Sequence, residues 1–222
     1  LLASENVAAV ILEAIQSIAG MRMASQEYLQ AVRDLCSAYG TVLILDEVQT
    51  GVGRTGTFSS SEAYGITPDL ITLAKSLGAG VPVSAVLVHD DIAATVEPGD
   101  QGSTFGGGML AMAAVRATLD QLVDDDLMAR AGEIHSLLTA HVGSVVEEVR
   151  GKGCLIGLKL DEPVAPVLDA LRDHGVLAGG SADPHVMRLM PPLTTTDAEI
   201  EAFAYALSSA VESAPTAAVE AA

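Results

Sequence analysis

The chain has no tryptophan, three phenylalanines and four tyrosines, so aromatic residues make up only 3% of it. A core cannot rest on large rings and must be packed from Val, Leu, Ile and Ala. A hydrophobic share of 50% over 222 residues allows that. Basic residues are scarce too: 11 Lys and Arg stand against 29 Asp and Glu, for a net charge of −18. That balance excludes a general electrostatic grip on nucleic acid or on an anionic membrane. The acid excess reads as a solvated surface and names no partner. Cysteine is limited to Cys36 and Cys154. They have no metal-ligand spacing and make no disulfide framework, so both read as core thiols in a reducing, cytoplasmic compartment, and no metal site is expected. No apolar run is long enough to span a membrane. Residues 1–6 lack an initiator Met and the basic flank of a signal peptide, so the chain is expected to begin within a longer protein. The Ala-rich stretch 214–222 is expected to fray.

Only three lysines are present, Lys75, Lys152 and Lys159. Lys75 closes the apolar run Leu70-Ile71-Thr72-Leu73-Ala74 and precedes Gly78-Ala79-Gly80. Apolar surroundings disfavour a charged amine, and a neutral amine attacks carbonyl carbons. Taken alone, the same lysine is also what a strand end with a snorkelling side chain looks like.

The rest of the chain supplies context. Val7 to Ile15 reads as a buried strand. Ser25 is a candidate N-cap for a helix whose face carries Tyr28, Leu29, Val32, Leu35, Cys36 and Tyr39, with Gly40 as its stop. Thr41 to Leu45 is a continuous apolar run that suits a parallel strand covered on both faces, and it ends at Asp46. Strand, helix, strand gives an α/β class with a mostly parallel sheet. In such sheets ligands bind beyond the carboxyl ends of the strands, where Asp46 and Lys75 lie. Pro82 to His89 is a further strand and Asp90 opens a short helix. Gln101 to Met109 is a glycine-rich loop, Leu110 to Leu122 a helix, and Asp124 to Arg150 one long amphipathic helix. Its core positions are Leu127, Ala131, Ile134, Leu138, His141, Val142 and Val145. Gly153 to Leu160, Val176 to Ala178 and Val186 to Met190 read as strands. Pro163 to His174 and Asp197 to Ser209 read as helices. The expected organisation is a partial large domain over 1–123 and a connecting helix with a small α+β domain over 124–222.

Gly51-Val52-Gly53-Arg54-Thr55-Gly56 fits G-x-G-x-x-G after a strand. A dinucleotide site also needs a helix to open inside the motif, and Thr57 to Ser61 is poor helix material. A nicotinamide or flavin site is therefore set aside. Asp46, Gln49, Lys75 and Ser103-Thr104 form a stronger set. A strand-end carboxylate pairs with a protonated pyridine nitrogen, and a nearby lysine carries the aldehyde of the same ring, as pyridoxal phosphate sites require. Loop hydroxyls and N–H groups hold a phosphate. Taken singly, Asp46 caps a turn, Gln49 lies on the surface, and Ser103 and Thr104 are loop residues.

Leu43 to Gly56 (Leu-Ile-Leu-Asp-Glu-Val-Gln-Thr-Gly-Val-Gly-Arg-Thr-Gly) resembles the signature of class III pyridoxal-phosphate aminotransferases. So do Pro68 to Pro82, Gly102 to Gly107 and Val186 to Leu193. The likeness is to the acetylornithine and ornithine-type members. It runs along nearly the whole chain and covers the later portion of the family's length. It implies a fold type I PLP-transferase in the cytoplasm, of use in arginine biosynthesis. An ω-amino donor of the acetylornithine kind would pass its amine to 2-oxoglutarate. Lys75 is implied to hold the cofactor and shuttle a proton, and Asp46 to pair with the pyridine nitrogen. Glu47 falls within the cofactor-binding stretch, Val48 packs on the ring, and Gln49 lies near its phenolic oxygen. Thr104 is implied to bind the phosphate of the partner subunit in a homodimer, Ser103 to contact substrate there, and Arg188 to grip the substrate's α-carboxylate as a planar, bidentate donor.

The resemblance has gaps. Glu13-Ala14-Ile15-Gln16-Ser17-Ile18-Ala19-Gly20 stands where the family has Glu-Pro-Ile-Gln-Gly-Glu-Gly-Gly, so Ile18 replaces an acid that faces the substrate-binding arginine. Met109 replaces a proline. The family's earlier portion, with a phosphate-binding turn and a ring-stacking aromatic, has no counterpart here. The chain is thus expected to be a fragment or one piece of a split enzyme. Alternative readings are an aminotransferase for 4-aminobutyrate or another ω-amino acid, and a non-catalytic remnant.

Overall fold

The computed structural model describes residues 2–4 and 6–214. The expected fraying over 215–222 lies outside them. In chain order the strands and helices begin with β1 (Ala9–Leu12), β2 (Ile15–Gln16), β3 (Arg22–Met23), α1 (Gln26–Ala38), β4 (Val42–Asp46), α2 (Ser60–Tyr64) and β5 (Leu70–Leu73). Then come β6 (Ala85–Val88), α3 (Asp90–Ala93), α4 (Met109–Asp124), α5 (Leu127–Val142) and β7 (Glu148–Lys152). The last are β8 (Leu155–Lys159), α6 (Ala165–Asp173), β9 (Val186–Leu189) and α7 (Asp197–Ser213). Two compact units result. One comprises Leu1–Ala14 and Ala24–Met128, the other Ile15–Met23 and Ala129–Ala222. The expected division at 123/124 makes two consecutive stretches, whereas the observed units interleave.

The first unit is a four-stranded sheet in the order β1-β4-β5-β6. β1, β4 and β5 run parallel and β6 runs antiparallel to β5. The apolar run behind β4 buries Leu43 and Leu45. Asp69, just before β5, accepts the Leu43 N–H at 2.6 Å and Arg33 Nη1 of α1 at 2.8 Å. Burial works against its charge, but the Leu43 N–H and Arg33 outweigh that and hold the carboxyl below its ordinary value. α1 starts at Ser25, whose hydroxyl accepts the Tyr28 N–H at 3.1 Å, and Gly40 follows its last turn at φ +62°. Of the expected apolar face, Leu29 and Cys36 are buried, while Tyr28, Leu35 and Tyr39 are exposed.

Three expectations fail here. The strand foreseen over 7–15 is only β1, and it is not buried: Ile11 is 61% exposed. β1 pairs with β4 on one side only, and no strand among the described residues pairs with its other edge. The chain also leaves β1 at Leu12 to form the separate β2–β3 hairpin. Residues 57–61 do start a helix, because Ser59 and Glu62 form a reciprocal capping box for α2. That helix opens after Gly56, outside the glycine motif, so the motif still lacks the context of a dinucleotide site.

The second unit is an antiparallel sheet, β7-β8-β9, with α5, α6 and α7 supplying its apolar cover. Ile134, Leu138, Ile156, Leu158, Leu171, Met187 and Leu207 are all buried in one core. Burying each such side chain is worth about 1.5–3 kcal/mol. The β2–β3 hairpin belongs to this unit. Met21 and Ile15 pack on Leu155, and a Cβ at Gly157 would lie 2.7 Å from that of Met21, so only glycine admits the contact. Arg150 Nη1 donates to the Gly20 carbonyl at 3.2 Å.

The single helix expected over 124–150 is two helices and a strand. α4 stops at Asp124, and Asp126 adopts φ +50°. Three successive acids at a helix C-terminus oppose its dipole, and aspartate is a weak helix former. α5 then ends at Val142, and Glu148-Val149-Arg150 lie in β7. Ala131, Ile134, Leu138 and Val142 are buried as expected, but His141 lies beside that stripe and is exposed. The strand expected at 176–178 is absent; Gly179 alone bridges Arg188. Among the described residues no helix is long and apolar enough to cross a membrane.

Candidate active site

β4 and β5 are neighbours, with Asp46 opposite Thr72. The carboxyl end of β4 therefore lies beside that of β5, two residues before Lys75. Asp46 Oδ1 accepts the Val48 N–H at 3.0 Å and the Thr72 hydroxyl at 3.3 Å. Both bonds fix one oxygen and leave Oδ2 without one. The half-buried Gln49 follows, and its Oε1 is buried with no hydrogen-bond partner. Buried polar atoms are nearly always bonded, and this oxygen is one of two orphans among the described residues, with the Tyr64 hydroxyl.

Glu47 faces elsewhere. It is 1% exposed. Its carboxylate accepts Thr50 Oγ1 at 2.5 Å, Ser59 Oγ at 2.8 Å, Ser60 Oγ at 2.6 Å and the Ser61 N–H at 3.2 Å. Its carbonyl accepts the Gly51 N–H at 2.9 Å. The acid thus clamps the turn that carries Val48 and Gln49 onto the start of α2. Its side chain is consumed within the protein, where it holds that turn. Removing it strands the buried Thr50 and Ser60 hydroxyls and leaves Ser59 and Ser61 only each other. Glu47→Ala is expected to destabilise the chain by about 3–5 kcal/mol, read as a fall in the denaturant midpoint at constant slope. A loss below 1 kcal/mol would show that the clamp is not structural.

Lys75 opens a 3-10 turn, Lys75–Gly78, at φ +44°. Ala79 and Gly80 also have positive φ, so three of the six residues 75–80 do. For a side-chain-bearing residue that conformation costs about 1–2 kcal/mol. The lysine is exposed, which corrects the expectation of apolar surroundings. It stands past the sheet, in an open turn, rather than inside the strand end. Asp46 and Lys75 still share a field. The Glu13 carboxyl is pushed up chiefly by its own burial, then by the charge of Asp46, with Lys75 partly offsetting both.

Ser103 and Thr104 lie in the exposed loop before α4, where Ser103 Oγ accepts the Gly106 N–H at 3.0 Å. Among the described residues no hydrogen bond or ion pair links them to Asp46, Gln49 or Lys75. Arg188 belongs to β9 in the second unit and is half-buried. Its Nε donates to the Gly180 carbonyl at 2.6 Å and Nη1 to Ser17 Oγ at 3.1 Å. Sequence reasoning missed Ser17, Thr72 and the Ser59–Ser61 clamp. The available signal was the Ser-x-x-Glu spacing of a capping box at 59–62.

The family described as Aminotransferase class-III matches residues 1–211. Acetylornithine aminotransferase of Bacillus subtilis (strain 168) is 44% identical over 200 residues, which is 88% of this chain and 52% of that protein. The enzyme of the same name from Mycolicibacterium smegmatis is 43% identical over 215 residues, 95% of this chain and 55% of that one. Among solved structures, acetylornithine aminotransferase from Elizabethkingia anophelis superposes with a TM-score of 0.87 at 32% identity, over 95% of this chain and 58% of that one. An ornithine aminotransferase from Toxoplasma gondii, described with partial occupancy of PLP at its active site, gives 0.86 at 33%, over 96% and 52%. The chain spans about half the length of the curated relatives it matches.

Proposed function

Because the chain belongs to the class III aminotransferases and has the α/β architecture of the fold type I PLP-transferases, we propose that it is the C-terminal portion of a PLP-dependent transaminase. The donor is an acetylornithine-like ω-amine and the acceptor 2-oxoglutarate. The observation that carries this reading is the grouping of Asp46, Gln49 and Lys75 at two adjacent strand ends. The donor set fits the cofactor. Asp46 offers a free carboxylate oxygen to a pyridinium. The orphaned Gln49 amide, whose O and N ends exchange by rotation, offers an N–H to a phenolic oxygen. Lys75 offers an accessible primary amine to an aldehyde.

When bound, PLP supplies an electron sink for negative charge at the substrate's Cα. The protein's own residues do the rest. Asp46 keeps the ring nitrogen protonated, with Val48 N–H and Thr72 holding its orientation. Val48 covers a ring face, Glu47 fixes the turn beneath it, and Lys75 moves the proton to and from Cα. Arg188 receives the α-carboxylate. Thr104 and Ser103, exposed and with no hydrogen bond to Lys75 among the described residues, serve a second copy in a homodimer. The remaining length carried by the relatives is proposed to lie upstream and to cover apolar surface exposed at the sheet edges, such as Ile11 and Val86.

The test is the absorbance spectrum with added PLP, for Leu1–Ala222 with and without that upstream portion. A visible band that borohydride traps on Lys75, that the donor amine bleaches, and that Lys75→Ala lacks is the expected result. No band in either form would leave ancestry without activity.

A further inference from the structure

Arg188 is held by groups that carry no negative charge. Two of its five N–H donors go to the Gly180 carbonyl and to Ser17 Oγ. Its main chain exchanges bonds with Gly179 at 2.7 Å and 3.1 Å. No ion pair among the described residues includes Arg188, although nine others form. A half-buried cation without a counter-ion is unfavourable until an anion arrives.

Ser17 is 0% exposed. Its carbonyl accepts the N–H groups of Gly20 and Met21, both at 3.2 Å, closing the turn between β2 and β3. The neighbouring Ile18 carbonyl accepts the Ala182 N–H at 2.7 Å, which ties the hairpin to the segment that supplies Gly180. The hydroxyl is thus presented to the guanidinium from a fixed main chain.

Resting on the reading that Arg188 receives a substrate carboxylate, we infer that Ser17 is the positioning residue that sets this arginine. The hydroxyl fixes the plane of the fork. Being neutral, it leaves the arginine's charge for the substrate, whether donor or acceptor. An acid at the same position would pair with Arg188 and compete with the substrate for its N–H groups.

The experiment uses the enzyme assembled with its upstream portion and reads KM and kcat separately for 2-oxoglutarate. Ser17→Ala is expected to raise KM about tenfold with kcat within about twofold, as for a lost bond to a charged group. Ser17→Asp is expected to raise KM further by internal pairing. Arg188→Ala serves as the reference and should raise KM by at least as much as Ser17→Ala. If Arg188→Ala raises KM and Ser17→Ala does not, the positioning role is wrong while the carboxylate reading stands. If Arg188→Ala leaves KM unchanged, that reading fails and takes the role of Ser17 with it. A Ser17→Ala protein whose kcat and melting temperature fall together with no rise in KM would show a merely structural serine.

Discussion

Lys75→Ala lowers transamination in the assembled enzyme by roughly 10⁴-fold or more. The amine has two tasks in the proposed reaction, covalent attachment of the cofactor and proton transfer at Cα. Positioned general acid–base catalysis alone contributes about 10²–10⁴-fold, and loss of the covalent link adds to it. The fold should not suffer. Lys75 is exposed and has no hydrogen bond or ion pair to lose among the described residues. Its φ of +44° is as awkward for alanine as for lysine. Lys75→Gly, which removes that strain, should be at least as stable and equally inactive. Single-turnover conversion of the donor, followed beside a thermal melt, separates the two effects. Activity within tenfold of the native protein would remove Lys75 from the chemistry.

Asp46→Asn lowers kcat by about 10²–10³-fold, the size of one removed electrostatic contact at a site of developing charge. Asparagine keeps an oxygen for the Val48 N–H and the Thr72 hydroxyl, so the turn survives. What disappears is the charge proposed to keep the ring nitrogen protonated. Asp46→Ala loses the charge and both anchoring bonds, so its activity should fall further and Gln49 should lose its placement. Half-reaction rates with a saturating donor give the comparison. A rate for Asp46→Asn within threefold of native would leave Asp46 as a turn cap.

Much of this architecture was legible because the relevant forces are local. The apolar run 41–45 gives a strand, as expected, though only Leu43 and Leu45 on one face of β4 are fully buried, and it delivers Asp46 to a strand end next to that of β5. Ser25 and Gly40 bracket α1, the serine through its hydroxyl and the glycine through its lack of a Cβ. The failures share a cause in longer-range context. An apolar pattern over 7–15 says nothing about what covers it, so β1 was expected to be buried when it is an edge. The 124–150 stretch has helical periodicity throughout, and the left-handed Asp126 shows only in the backbone. Lys75 was placed in apolar surroundings because its sequence neighbours are apolar, yet the 3-10 turn carries it clear of them. Ser17 had no signal at all. It lies 171 positions from Arg188, and nothing about an isolated serine marks it as the support of a distant guanidinium.

The hairpin at 15–23 also decides how the chain can be cut. A polypeptide beginning at Ala129 would contain α5 from its third residue, α6, α7 and all of β7, β8 and β9. It would still be unsound, because Met21 would no longer fill the space beside Gly157, and Arg188 would lack its hydroxyl partner. The first unit, for its part, is interrupted between Ala14 and Ala24 by residues that serve the other. Neither unit is therefore a transferable cassette. Recombination between relatives at a single crossover near residue 128 would exchange helices while leaving the hairpin behind, so that Ser17 and Arg188 would come from different parents.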